Sequence, residues 1–121
     1  MGKDYKELII WQKGRRLTKE VYLLTRQFPP EERFGLSSQI QRAVVSIPSN
    51  IAEGFNRNSD KEFIHFLKIA KGSSAEVETQ LLLSMDLGYV DKETIGPLLT
   101  LNQEVIRGIG ALISKIGQKR L

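Results

Sequence analysis

The chain has 121 residues, no cysteine, and 18 Lys+Arg against 14 Asp+Glu, which gives a formal net charge of +4. This length predicts a single domain over residues 1–121 with its own hydrophobic core, and the lack of cysteine excludes disulfides and thiolate metal sites. The N-terminus is polar and the apolar runs are too short to span a bilayer, so we expect a cytoplasmic protein with no membrane segment. The excess of positive charge is compatible with an anionic partner.

The first predicted helix covers residues 9–28 and ends at Pro29-Pro30, because the residue before a proline avoids helical geometry. Apolar residues recur on one side of this helix at helical spacing. A basic face with an aromatic residue in it is typical of nucleic-acid contact, while an ordinary solvated helix surface would show the same cations. The residues of this face, at i, i+4, i+7 and i+11, are Arg15, Lys19, Tyr22 and Arg26.

The second predicted helix covers residues 36–54 and contains Pro48, which removes one backbone hydrogen bond and predicts a kink. A polar row runs along it beside the apolar stripe, and a matching row is predicted on the third helix. Such a mixture of hydroxyls, amides and single charges is typical of a face enclosed by neighbours that satisfy its hydrogen bonds. A structural network is therefore the favoured interpretation, and a polar site that lines a pocket or a ring interior is the alternative. The predicted network consists of Arg42, Ser46, Asn50, Glu53, Ser73, Glu76 and Gln80.

The third and fourth predicted helices cover residues 60–87 and 92–117. Ser59-Asp-Lys-Glu62 has the pattern of a capping box, Gly88 is suited to end the third helix, and Asp91 is suited to cap the fourth. Together the four segments predict an all-α, antiparallel up-down-up-down four-helix bundle.

The last two helices carry more apolar residues than one bundle can bury. The fourth helix has a second apolar stripe, and the third has an excess at Leu81-Leu82-Leu83. A solitary bundle buries one stripe per helix, so the surplus predicts self-association. The members of the second stripe on the fourth helix are Leu99, Ile106 and Ile113.

The one histidine of the chain lies in Glu62-Phe-Ile-His65, a pattern that supplies metal ligands in di-iron bundles. Those sites need two such motifs and two further glutamates. We therefore predict no metal and no cofactor, and an exposed or partly packed His65. The sequence also shows no cysteine nucleophile, no glycine-rich phosphate loop and no Ser–His–Asp pattern, so no catalytic residue is predicted.

Short motifs along nearly the whole chain resemble those of a known family, the 23S rRNA intervening-sequence proteins, which are four-helix bundle proteins. The most specific motif is Ile47-Pro-Ser-Asn-Ile-Ala-Glu-Gly54. The others are Trp11-Gln12-Lys13, Phe28-Pro29, Glu32-Arg33-Phe34-Gly35-Leu36, Ser59-Asp-Lys-Glu-Phe63, Gly72-Ser73, Glu76-Val77-Glu78-Thr79-Gln80-Leu81 and Asp86-Leu-Gly-Tyr89. The resemblance implies a ring-like homopentamer. A more distant similarity to the accessory protein of diversity-generating retroelements implies a reverse transcriptase and RNA as partners.

Two functional hypotheses are favoured, and a third is a remote alternative. In the first, an oligomer without enzymatic activity binds RNA or another nucleic acid through a basic surface. In the second, the oligomer is an adaptor that docks a protein partner such as a reverse transcriptase; a metal-binding bundle enzyme is the third alternative. The candidate nucleic-acid-binding residues are Arg15, Arg16, Lys19, Tyr22, Arg26, Lys115, Lys119 and Arg120.

Overall fold

A computed structural model describes residues 4–118 and contains four α-helices: α1 (Ile9–Thr25), α2 (Leu36–Phe55), α3 (Asp60–Asp86) and α4 (Lys92–Gln118). Short 3-10 helices at Tyr5–Glu7 and Pro30–Glu32 precede α1 and α2. No strand occurs between residues 4 and 118, so the predicted all-α four-helix class is confirmed. Lys119 and Arg120 of the candidate basic tail lie outside the described residues.

Contacts between successive helices show the direction in which each one runs. Along α1, Thr18 contacts Val44 and Thr25 contacts Gln41, so α2 runs opposite to α1. In the same way Ser46 contacts Ser73 while Gly54 faces Phe63, so α3 runs opposite to α2. α4 closes the bundle by packing against both α3 and α1.

The core is built from one buried stripe on each helix, as the helical period of the apolar residues requires. On α4 the second stripe is half-buried, and Leu99 and Ile113 pack against the edge of the core. The edge of the bundle therefore covers part of the predicted second stripe on α4, and the stripe stays partly exposed. On α3 the expectation of surplus apolar surface holds for Leu82 and Leu83, which are 41% and 44% exposed, whereas Leu81 is fully buried.

The ends of the helices follow local capping chemistry. Ser59 Oγ accepts from the Glu62 N–H at 3.2 Å, Asp91 Oδ1 accepts from the Thr94 N–H at 2.8 Å, and Gly88 ends α3 with φ +78°. These contacts satisfy N–H groups that have no partner inside a helix. The Asp91 carboxylate accepts from both the hydroxyl and the N–H of Thr94, and these hydrogen bonds hold the pKa of Asp91 below its usual value.

α1 ends three residues earlier than the predicted boundary at residue 28. The chain between Arg26 and Phe28 makes tighter turns, with the Phe28 N–H donating to the Thr25 carbonyl at 3.1 Å. Pro29 excludes helical geometry at Phe28, and the buried Phe28 ring packs 5.6 Å from the ring of Tyr89. The buried side chain and the proline together decide where this helix stops.

The connectors at this end of the bundle are tied together by one side chain. Glu32 accepts from the Tyr89 hydroxyl at 2.6 Å and from the Leu36 N–H at 3.0 Å. These two hydrogen bonds favour the ionised carboxylate, so the pKa of Glu32 lies below its usual value and the pKa of Tyr89 lies above. A lowered carboxyl pKa contributes stability at neutral pH that is lost as the pH falls through the folded-state pKa.

Pro48 lies inside α2, and the helix continues through it. Proline has no N–H, so the carbonyl of Val44, four residues earlier, lacks its usual helical partner. The Thr18 hydroxyl of α1 lies 3.2 Å from this carbonyl oxygen and 2.8 Å from the oxygen of Gly14. The neighbouring helix thus supplies the donor that proline cannot. The predicted kink at Pro48 stays a prediction.

Gly14 allows α1 to approach α2 at this point. A Cβ added there would lie 3.5 Å from Pro48 Cδ, which is an ordinary contact. It would also lie 3.3 Å from Ile47 Cγ2, which is tighter than ordinary van der Waals contact. The Pro48 ring therefore packs against α1 at the one position, Gly14, that has no side chain. This fit sets the separation of α1 and α2.

Replacing Thr18 by valine tests the compensation of Pro48. Valine has nearly the same shape but no hydroxyl, so the Val44 carbonyl loses its side-chain donor. We expect the free energy of unfolding to fall by about 1 kcal/mol, measured by urea denaturation. Thr18→Ser keeps the donor and is the control. Equal stability of Thr18→Val and the unaltered protein would contradict the role assigned to this hydroxyl.

Candidate nucleic-acid interface

The predicted basic face is present on the outer side of α1. Leu17, Val21 and Leu24 are buried, and the same helical period turns Arg15, Lys19, Tyr22 and Arg26 outward, where all four are exposed. Among residues 4–118 the ion pairs are Lys6–Asp4, Lys13–Glu104 and Arg57–Glu53, so none of the three cations on this face has a carboxylate partner there. Their charge is available to an external anion.

Arg16 belongs to another surface. The pKa of Glu104 on α4 is lowered mainly by its hydrogen bond with Lys13 and further by the charges of Arg16 and Arg107. Arg16 therefore faces the α1–α4 side of the bundle, and its charge is partly compensated there.

Lys115 also lies apart from the basic face of α1. α4 runs opposite to α1, since Ile10 faces Gly108 and Lys13 pairs with Glu104. Lys115 is exposed and comes after these positions, so it lies beyond the start of α1 and far from Arg26. The described cations of the predicted set therefore lie on more than one side of the bundle, because the direction of α4 places Lys115 away from Arg26.

A groove follows the seam between α1 and α2. It consists of three depressions of about 370, 650 and 430 Å³. The first and second share Val45 and Ser49, and the second and third share Tyr22 and Gln41, so the three depressions lie side by side along the seam from Trp11 to Phe28. We call the three together the α1–α2 groove.

The α1–α2 groove is lined by arginine but by no Asp or Glu. Arg15 lines the first depression, Arg42 the second, and Arg26 and Arg33 the third. The sequence reading missed Arg33 and assigned Arg42 to the polar network. One feature of the sequence could have indicated this groove. Uncharged residues recur at helical spacing on the side of α2 that faces Tyr22, namely Ser38, Gln41, Val45 and Ser49.

Trp11 forms the wall at one end of this groove. Its ring packs edge-to-face with Tyr5 at 5.3 Å between centroids, and the Arg15 guanidinium lies 5.6 Å from the ring centroid. Cations at this distance from an indole are attracted by its π face. The same depression is floored by Pro48 and Ala52 of α2.

The predicted polar network is only partly formed within the chain. Ser46 Oγ and Ser73 Oγ lie 2.8 Å apart, and the Asn50 amide donates to Ser46 Oγ and to the Ser46 carbonyl, both at 2.8 Å. Gln80 is buried, but its Oε1 has no hydrogen-bond partner. Ser46, Ser73 and Gln80 line a depression of about 430 Å³ on the α2–α3 seam.

The charged members of that network are not enclosed. Arg42, Glu53 and Glu76 are exposed, and Glu53 pairs at 2.9 Å with Arg57, which lies four residues later and just beyond the end of α2. The prediction that neighbours within the chain enclose the whole row is therefore wrong for these three residues. Small hydroxyls fit between α2 and α3, whereas the longer charged side chains extend into solvent.

The residues weighed as metal ligands do not converge. His65 and Glu62 are both exposed, and the His65 ring lies edge-to-face with Phe66 at 5.5 Å. No group of three His, Cys, Asp or Glu residues suited to a metal ion occurs within residues 4–118. In the same part of the chain, no helix is long and apolar enough to cross a membrane.

The fold and this surface define a small all-α bundle with a cationic outer helix. The chain belongs to the 23S rRNA-intervening sequence protein family, whose model matches residues 6–111. A solved structure from Bacteroides thetaiotaomicron, described as a protein of unknown function from the S23 ribosomal protein family, is similar with a TM-score of 0.78. It covers 87% of this chain and 98% of its own at 24% identity, so the likeness concerns the fold. No curated protein matches the chain.

Two substitutions on α2 separate the formed part of the polar network from the exposed part. Asn50→Leu removes both bonds to Ser46, and we expect the free energy of unfolding to fall by about 1 kcal/mol. Glu53→Leu removes one exposed ion pair, and its effect should stay below about 0.5 kcal/mol. Thermal and urea unfolding measure both. If Asn50→Leu unfolds like the unaltered protein, the network has no structural role.

Proposed function

We propose that this protein is a non-enzymatic, oligomeric RNA-binding protein whose basic α1 face contacts phosphates. The observation that carries the proposal is the outward set of Arg15, Lys19 and Arg26 around the exposed Tyr22, with no carboxylate in ion-pair distance among residues 4–118. Cations that are not paired within the protein can neutralise phosphates and release the counterions condensed on the nucleic acid. The family, named for an intervening sequence of 23S rRNA, favours RNA as the anion.

The proposal includes self-association. Ile69 in the first half of α3, Leu83 near its end and Leu87 just after it are 40%, 44% and 56% exposed, and Phe34 in the α1–α2 connector is 87% exposed. Exposed apolar side chains in such number are typical of a surface that another subunit covers. Self-association would multiply the charge of +4 per chain, and the family resemblance supports five copies.

The assembled mass tests this part of the proposal. Light scattering at micromolar concentration should give a multiple of 13.7 kDa, with five copies expected. Leu83→Glu puts a charge on the apolar surface and should lower the mass. Gln27→Glu, an exposed residue after α1, adds the same charge elsewhere and is the control. A particle of 13.7 kDa for the unaltered protein would refute self-association.

Charge reversal tests RNA binding. Lys19→Glu with Arg26→Glu should weaken binding at low salt by at least about tenfold and reduce the slope of log K against log salt by roughly 0.7 for each lost phosphate contact. Lys68→Glu with Lys71→Glu, both exposed on α3, is the matched control because it changes the net charge equally. Filter binding at two salt concentrations measures both.

Two results would count against the basic face. If the unaltered protein retains no RNA at low salt, the function is wrong. If the two double variants weaken binding equally, net charge rather than the α1 face is responsible.

A second candidate function is an adaptor for a protein such as a reverse transcriptase. The exposed Phe34, with the Arg33 guanidinium 5.2 Å from its ring centroid, favours it, since an aromatic ring with an adjacent arginine is a common interface anchor. Nuclease treatment of a native pull-down separates the two functions. A directly docked protein survives the treatment, and an RNA-bridged one is released.

A further inference from the structure

The α1–α2 groove indicates which form of RNA the protein recognises. We propose that this groove binds single-stranded RNA, with an unpaired base stacked on Tyr22 and the phosphates on either side held by arginine. This inference rests on the proposed RNA-binding function, and it places that binding in the α1–α2 groove and restricts it to single-stranded RNA.

The charge along the groove matches a phosphate backbone. Arg15, Arg42 and the pair Arg26 and Arg33 are distributed over its three depressions, and none of the lining residues is acidic. The distance from Trp11 to Phe28 along α1 is about 25 Å. A polyanion with regularly spaced charges can therefore meet an arginine in each part of the groove.

Tyr22 is the aromatic residue placed for stacking. It is 45% exposed and lines both the 650 and the 430 Å³ depressions, so its ring lies where they meet. Lys19 and Arg26 lie one turn before and after it on the same exposed face. A base stacked on this ring would have a cation on either side for its flanking phosphates, which is the arrangement of single-strand binding grooves.

The shape of the groove favours a single strand over a duplex. Packed helices lie about 8–10 Å apart, so the groove between them admits one strand while a duplex rests on its rims. In a duplex the base faces are already stacked on one another, so a protein meets phosphates, 2′-hydroxyls and base edges instead. The exposed ring of Tyr22, which lines the groove beside Gln41, can therefore stack only on an unpaired base.

The test compares three labelled probes by fluorescence anisotropy: an oligouridylate of about 20 nucleotides, an abasic strand of the same length, and a hairpin duplex with equal phosphate number. The unaltered protein should bind the oligouridylate tightest. Tyr22→Ala should weaken that binding by at least about fivefold, the lower end of the effect of one stacked base, and leave the other two probes unchanged. Tyr22→Phe keeps the ring and should bind within about twofold of the unaltered protein.

The outcomes separate this inference from the proposed function. Binding to all three probes with equal affinity, or equal loss of all three in Tyr22→Ala, would overturn the single-strand groove while RNA binding through the α1 face stands. Absence of binding to every probe would overturn both. Competition by polyglutamate as strong as that by oligouridylate would show that the groove recognises an acidic peptide instead.

A covalent map gives an independent result. Photocrosslinking to a strand that carries 4-thiouridine, followed by peptide mass spectrometry, should label α1 and α2 peptides that include Tyr22 or Gln41. Labelling confined to α3 or α4 would overturn the assignment. Circular dichroism of Tyr22→Ala is expected to match the unaltered protein, because Tyr22 is on the solvent side of α1.

Discussion

The contact between α1 and α2 at Pro48 is the constraint on which the rest of the structure depends. A proline in the middle of a helix leaves one carbonyl without its helical donor, and Thr18 of α1 lies in position to supply it at 3.2 Å. Gly14 lets the two backbones approach closely enough for that hydrogen bond. The separation of α1 and α2 that results also defines the groove along their outer seam, so the packing of Pro48 and the shape of the candidate site have one origin.

The surface of the bundle is divided by chemistry. Among residues 4–118, no carboxylate lies within ion-pair distance of the cations on the outer side of α1, and none lines the adjoining groove. Leu83 near the end of α3 and Leu87 just after it instead present apolar side chains to solvent. A charged groove and an apolar face suit different partners, because phosphate binding depends on salt and apolar association on buried area. The proposed self-association and the proposed phosphate binding would therefore use different surfaces of the chain.

Buried polar atoms fix how α3 meets its neighbours. Asn102 is fully buried and donates to the Ser74 carbonyl at 2.9 Å, while Ser73 pairs with Ser46 across the other seam. Each such bond exists in only one register, and breaking it would leave a buried polar group unsatisfied. The small side chains in the middle of α3 therefore set its position against both α2 and α4. Gly54 adds close packing at the far end of α2, since a Cβ there would lie 2.6 Å from Phe66 Cβ.

The sequence by itself determined the four helices, the capping residues Ser59 and Asp91, and the basic face of α1, because periodicity and capping are local properties of the chain. It could not determine that Thr18 compensates Pro48, that Arg16 and Lys115 lie apart from Arg26, or that Arg33 and Arg42 join the groove. Those facts depend on the separation and direction of helices that are distant in sequence, and a hydrogen bond or a groove between two helices exists only once both are packed. For the same reason the outer polar residues Arg42, Glu53 and Glu76, whose spacing predicted burial, are exposed in the folded chain.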